Sequence, residues 1–314
     1  MPVPVKTRWI QGLAATVVLL PALCHAQAML APRLLRHVMM ENQETLTHHA
    51  PAPPPHTTYA YGADKAQDLD LYLPKPTGAP VPLVLFVHGG GWTMGSKDNA
   101  TGPWKAPHFT GQGYAFATID YRLVPRARVE DQAADVALAL HQMIHDASRL
   151  GIDPHRIVLM GHSAGAQLVA LVGTDERYLK AAGLSFADVA GIIPIDGAAY
   201  DVPEQMKASG DYMGVRYETA FGVDPVRQAA LSPTLHAAAP NAPRFLLLHV
   251  QRPDGMAQSR ELATALRRAG TPVEIRGFAG VGLMGHVTIN QRLGDPDYPA
   301  TGVVDVWLKG VFKK

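Results

Sequence analysis

The chain has 314 residues, 47% hydrophobic and 18% charged, with mean hydropathy near zero. That balance excludes a disordered chain and a polytopic membrane protein, and it is enough for a sizeable core. Lys and Arg number 28 against 27 Asp and Glu, so no single-sign field attracts nucleic acid, and the lone cysteine, Cys24, excludes an intramolecular disulfide.

At the N-terminus Lys6 and Arg8 precede an apolar run from Trp9 to Leu20, and Cys24-His25-Ala26 follows. A basic start, a short apolar run and small residues at a cut site are the parts of a secretory signal. The run is too short to span a bilayer comfortably. Cleavage after Ala26 is expected, giving an exported (periplasmic or secreted) protein with no stable membrane insertion. The segment 1–26 carries two bases and no acid, so the mature net charge becomes −1. Residues 27–58 read as a preamble, with a short amphipathic helix over 30–40 and a proline-rich linker over 50–56. His48, His49 and His56 lie in this preamble without partners at metal-ligand spacing, and no metal site is expected.

One domain is expected over 59–314. Leu69, Leu71 and Leu73 alternate with polar residues, which predicts a half-buried strand. Residues 83–87 (LVLFV) form a continuous apolar run, the mark of a strand covered on both faces. His88-Gly89-Gly90-Gly91-Trp92 follows directly. Glycines at the end of a strand let backbone N–H groups approach a developing oxyanion. The Lys-Ser/Thr ending of a phosphate loop is absent. His88 reads as an orienter of this loop. Trp92 reads as loop packing, with substrate contact as the alternative.

A strand over 114–119 and a helix over 129–144 come next, and then a strand over 157–160. Gly161-His162-Ser163-Ala164-Gly165 joins that strand to a helix over 164–172. A nucleophile lifted out of a tight strand–helix turn needs strained angles at the serine and glycine two residues to either side. The expected oxyanion donors are the N–H groups of Gly89, Gly90 and Ala164, and His162 flanks the nucleophile. After a strand over 192–195, residues 197–240 show no period and read as a lid or substrate-lining insertion. Tyr200, Met206, Tyr212, Met213 and Tyr217 lie there and read either as a binding-site lining or as an ordinary lid core; Trp92, His162, Tyr200 and Tyr212 are the candidate substrate-lining residues. Strands over 245–250 and 273–275 flank a helix over 256–268. Strands alternating with helices predict an α/β fold: a mostly parallel central sheet with helices on both faces.

The order serine, acid, histidine suits this arrangement. Asp254, four residues past Val250, is the preferred acid, with Asp196 and Asp201 as rivals. His286, in Gly285-His286-Val287 of an expected loop, is the preferred base over His249 and His236.

Taken together, LDLYLP at 69–74, HGGGW at 88–92, DYRLVP at 120–125, GIDPHRI at 151–157, GHSAG at 161–165 and LSP at 231–233 resemble the α/β-hydrolase superfamily. The resemblance runs from about Leu69 to Leu293 and is to the HGGG-type esterases related to hormone-sensitive lipase. Within these the pattern is similar to secreted acetyl-ester or feruloyl-type esterases and to aryl-formamidases. It implies a Ser163–Asp254–His286 triad acting on small-molecule esters without a cofactor, and a pinning role for Asp120-Tyr121-Arg122-Leu123 beneath the oxyanion loop. Ala166 and the wording Arg252-Pro253-Asp254-Gly255-Met256 depart from the family pattern. Amide hydrolysis of the aryl-formamidase type is the alternative activity. A non-catalytic binding protein on the same scaffold would be expected to lack a triad member, and here every role has a candidate.

Overall fold

The computed structural model describes residues 50–76 and 78–313, with Asp211 and Tyr212 described by backbone only. The expected signal segment, the 30–40 helix, Cys24, His48 and His49 lie outside the described residues.

The order of elements is β1 His56–Ala60, β2 Asp68–Tyr72, β3 Val81–Val87, α1 Lys97–Ala100, α2 Lys105–Gly111, β4 Ala115–Ile119 and α3 Val129–His145. Next come α4 Ala147–Leu150, β5 Ile152–His162, α5 Ala164–Thr174, α6 Glu176–Ala181 and β6 Gly191–Ile195. The C-terminal part holds α7 Val202–Ala208, α8 Asp211–Phe221, α9 Pro225–Ala230, α10 Pro233–His236, β7 Phe245–Gln251, α11 Pro253–Arg268, β8 Val273–Val281, α12 Gly282–Arg292 and α13 Pro299–Phe312.

Eight strands make one sheet in the order β1-β2-β4-β3-β5-β6-β7-β8. β1–β2 and β2–β4 are antiparallel, and every pair from β4 through β8 is parallel. The apolar run of β3 divides between two cores, as the period-2 alternation of a strand requires. Leu83, Leu85 and Val87 face one core with α3 and α5, while Val84 and Phe86 face the other with α12 and α13. No helix among the described residues is long and apolar enough to cross a membrane.

Four local expectations are corrected. His56 opens edge strand β1 instead of closing a linker, and its ring packs 5.0 Å from that of Tyr72. β2 is buried on both faces at its centre, because Asp70 has partners: Thr58 Oγ1 donates to it at 2.6 Å and Lys97 lies 3.5 Å away. His286 sits in helix α12 and not in a loop. Residues 197–240 contain four helices of 4–11 residues, too short to display an apolar stripe. Their starts are written locally: Asp201 and Asp224 accept N-terminal N–H bonds, and three of the four carry proline in the first turn.

Because β3 and β5–β8 run parallel, the segments following them gather along one edge of the sheet. That edge is where open α/β sheets place ligands.

Candidate active site

Ser163 lies between β5 and α5 with φ 56 and ψ −116, a left-handed conformation that a non-glycine residue enters only when its surroundings impose it. The imposition is visible on both sides. A Cβ on Gly161 would lie 2.2 Å from the Gly165 carbonyl oxygen, and one on Gly165 would lie 2.1 Å from that of Val87. The turn therefore closes only with glycine at both positions. The Ser163 N–H donates to Ile195 O at 3.0 Å, fastening the turn to β6.

The glycine loop after β3 lies against this turn. A Cβ on Gly89 would be 3.0 Å from Ser163 Cβ, and one on Gly90, which has φ +133, would be 1.9 Å from Met94 O. His88 holds the loop from beneath. Its Nδ1–H donates to Gly89 O at 2.7 Å, its ring stacks on Tyr121 at 4.3 Å, and Tyr121 Oη donates to His88 O at 2.9 Å. Burial pushes the His88 imidazole down to about 4, so it is neutral at ordinary pH. Arg122 pairs bidentately with buried Asp135, and Asp120 accepts from the Lys97 N–H at 2.6 Å. The segment 120–122 therefore braces the loop. Ala164 is the first residue of α5, and the N–H of a first-turn residue has no acceptor within its own helix.

His286 Nδ1 and Asp196 Oδ2 are 2.6 Å apart, and both residues are buried. Asp196 follows β6 with φ +43. Its N–H donates to Leu248 O at 2.7 Å, and its Oδ1 accepts from the Val250 N–H at 3.0 Å. Burial raises the Asp196 carboxyl. The His286 bond, the Arg252 charge and the Val250 N–H together outweigh it and hold the group at about 2.

The sign of its effect on stability follows. A carboxylate depressed in the folded state stabilises the fold above its unfolded value and loses that contribution as pH falls toward 2. Urea melts should therefore show wild type losing about 2 kcal/mol more than Asp196→Asn between pH 4 and pH 2. Parallel losses in the two proteins would contradict the depressed value.

Asp254, the preferred acid from sequence, does not hold His286. It is the second residue of α11, partly exposed, with Oδ2 3.5 Å from Arg252 Nη1. The helix begins at Pro253, so its first turn consumes Asp254 and turns it toward Arg252. The rival Asp196 takes the place instead. An aspartate directly behind the buried strand Gly191–Ile195 and followed by glycine was the signal available for it. The other rivals serve the frame. Asp201 caps α7, His249 bonds the Val250 carbonyl from within β7, and His236 bonds the Ala230 carbonyl.

The candidate substrate-lining residues are largely enclosed. Trp92 is 4% exposed, donates through Nε1 to Gln167 at 3.1 Å, and lies edge-on to Phe221 at 4.7 Å. Tyr200 is fully buried. His162 is buried, its Nε2–H donates to the His286 carbonyl at 3.0 Å, and the two rings lie 4.4 Å apart. Burial drives the His162 imidazole well below its ordinary value, consistent with a neutral positioner. The Tyr212 side chain lies outside what is described. Among the described residues no group of three or more His, Cys, Asp or Glu could hold a metal ion.

Comparison with known proteins adds a family frame. The family model BD-FAE matches residues 69–214. Esterase B of Lactobacillus rhamnosis superposes with a TM-score of 0.71 at 22% identity, covering 92% of this chain and 97% of that one. The chain has the α/β-hydrolase fold.

The chain is also 26% identical over 233 residues to an isoprenylcysteine alpha-carbonyl methylesterase of Arabidopsis thaliana, a match covering 70% of this chain and 54% of that protein. It spans about half the length, or less, of the plant methylesterases it matches. To kynurenine formamidase of Danio rerio it is 26% identical over 257 residues, covering 77% of this chain and 78% of that one. The glycine loop, the Ser163 turn and Asp196 thus sit on a fold shared with Esterase B.

Proposed function

We propose that this protein is a serine carboxylesterase acting on small-molecule esters through an acyl-enzyme. The observation that carries the reading is the Asp196–His286 bond, packed against His162, the residue before a serine held at positive φ. His286 Nε2 takes the proton of Ser163 Oγ as Oγ bonds to the ester carbonyl carbon. The carbonyl π electrons move onto oxygen, and the amides of Gly89, Gly90 and Ala164 receive the oxyanion. Collapse breaks the bond to the alcohol oxygen, which takes the proton from His286. Water then repeats the sequence on the acyl-enzyme and releases the acid. Asp196 holds the imidazole tautomer with the proton on Nδ1 and stabilises the imidazolium.

The test is covalent labelling. A fluorophosphonate should form one adduct, mapped by peptide mass to Ser163, with matching loss of p-nitrophenyl acetate turnover. An unlabelled Ser163 in fully active protein would refute the triad.

The formamidase match along three-quarters of both chains supports a second reading, cleavage of aryl formamides by the same groups. There the leaving nitrogen must receive its proton from His286 during collapse. A kcat/KM for phenyl acetate above that for N-formylaniline supports the esterase, and the reverse order supports the amide reading.

A further inference from the structure

Strand β7 ends next to the catalytic pair in Gln251-Arg252-Pro253, and the position pointing at the pair is occupied by a cation. Arg252 Nη2 donates to two carbonyls, Asp196 O at 3.1 Å and Gly197 O at 3.2 Å. Its Nε lies 3.3 Å from Asp196 Oδ2, the oxygen that bonds His286. Its Nη1 lies 3.5 Å from Asp254 Oδ2 on the outer side. The guanidinium is mostly enclosed, 17% exposed against 0% for the Asp196 side chain. The start of α11 is shaped around it: a Cβ on Gly255 would come within 2.9 Å of Nη2. One side chain thus hydrogen-bonds the backbone of a residue held at positive φ and sets its charge against that residue's carboxylate, with Nε itself making no hydrogen bond.

We propose that Arg252 is a positioning residue for the catalytic pair: it holds the Asp196 backbone and carboxylate in line with His286, and its charge offsets part of the carboxylate's field at the imidazole. This rests on the triad reading given above. The other groups around the pair are accounted for. His162 packs on His286 as a buried neutral ring. Lys105 of α2 is buried, bonds the Asn290 side chain at 2.9 Å, and acts on His162 from behind. Tyr200 and Tyr298 lie in the field of Asp196 as phenols that burial keeps protonated. Arg252 is thus the cation that contacts the carboxylate itself.

Lys and Gln separate its two roles. Arg252→Lys keeps the charge but cannot span both carbonyls and the carboxylate, because its single ammonium replaces a planar fork. Arg252→Gln removes the charge. With less opposing charge beside Asp196, protonated imidazole is favoured, so the acid limb of the kcat/KM–pH profile should move up by about one pH unit in Arg252→Gln. In Arg252→Lys the limb should stay within about 0.3 unit of wild type. In both variants kcat should fall about tenfold with KM little changed, since orientation and not substrate contact is lost.

An unmoved limb in Arg252→Gln with wild-type kcat overturns the proposal, as does an equal shift in both variants. Far-UV circular dichroism and melting curves identify a variant that fails to fold. If Gln does so, the Lys variant decides by its kcat alone, an unchanged kcat being the overturning result. Fluorophosphonate labelling of wild-type Ser163 keeps the two readings apart: its absence removes the triad, whereas labelling with unmoved Arg252 variants removes only this proposal.

Discussion

Ser163→Ala is expected to lower kcat for p-nitrophenyl acetate by about 10⁵-fold or more, with melting temperature and far-UV spectrum close to wild type. The Gly161–Gly165 turn carries no other hydroxyl to replace Oγ, and the chemistry of acyl transfer collapses when the nucleophile goes. The backbone strain at this position is imposed by the closure of Gly161 on Gly165 and of Gly165 on Val87, so alanine inherits the same turn. The variant should fold, should bind ester without turning it over, and should fail to take a fluorophosphonate. Turnover near wild type in folded protein would show that the elbow serine is not the nucleophile.

The second large effect separates two aspartates. Asp196→Asn should lower kcat by about 10⁴-fold, because an amide beside His286 Nδ1 no longer enforces the tautomer that leaves Nε2 free to accept the serine proton. Asp254→Asn should stay within about fivefold of wild type, since Asp254 is partly exposed and lies against the outer side of Arg252, away from His286. Steady-state kinetics on the two variants side by side settle the assignment. A large loss in Asp254→Asn with little in Asp196→Asn would return the acid to the end of β7.

Much of this arrangement is legible in the one-dimensional chain because its causes are local. Buried parallel strands announce themselves as uninterrupted apolar runs at 83–87 and 245–250, since both faces must be dry. The elbow is legible because the glycine requirement falls at fixed offsets from Ser163. His88-Gly89-Gly90-Gly91 is legible for the same reason, as Gly90 closes against Met94 only four residues away. His286 could be chosen by its order after the last core strand, although its placement in helix α12 could not, because that helix begins in a glycine-rich stretch with little local helical signal.

The choice of acid needed the fold. Asp196 and Asp254 each follow a buried strand, and sequence spacing alone favours the one nearer to His286 in chain order. The outcome depends on which strand end sits beside the imidazole once β6 lies between β5 and β7, and on how α11 starts. Pro253 begins that helix immediately after Arg252, which turns Asp254 outward and leaves the guanidinium facing Asp196. The enclosure of Trp92 and Tyr200 was likewise decided by tertiary packing and not by their own neighbours in sequence. Apolar patterning and motifs by themselves determined the fold class and singled out Ser163 and His286 as candidates, through constraints spanning a few residues. Only the tertiary structure decided which carboxylate meets the histidine, because that contact joins residues 90 positions apart and rests on geometry that no short stretch of sequence contains.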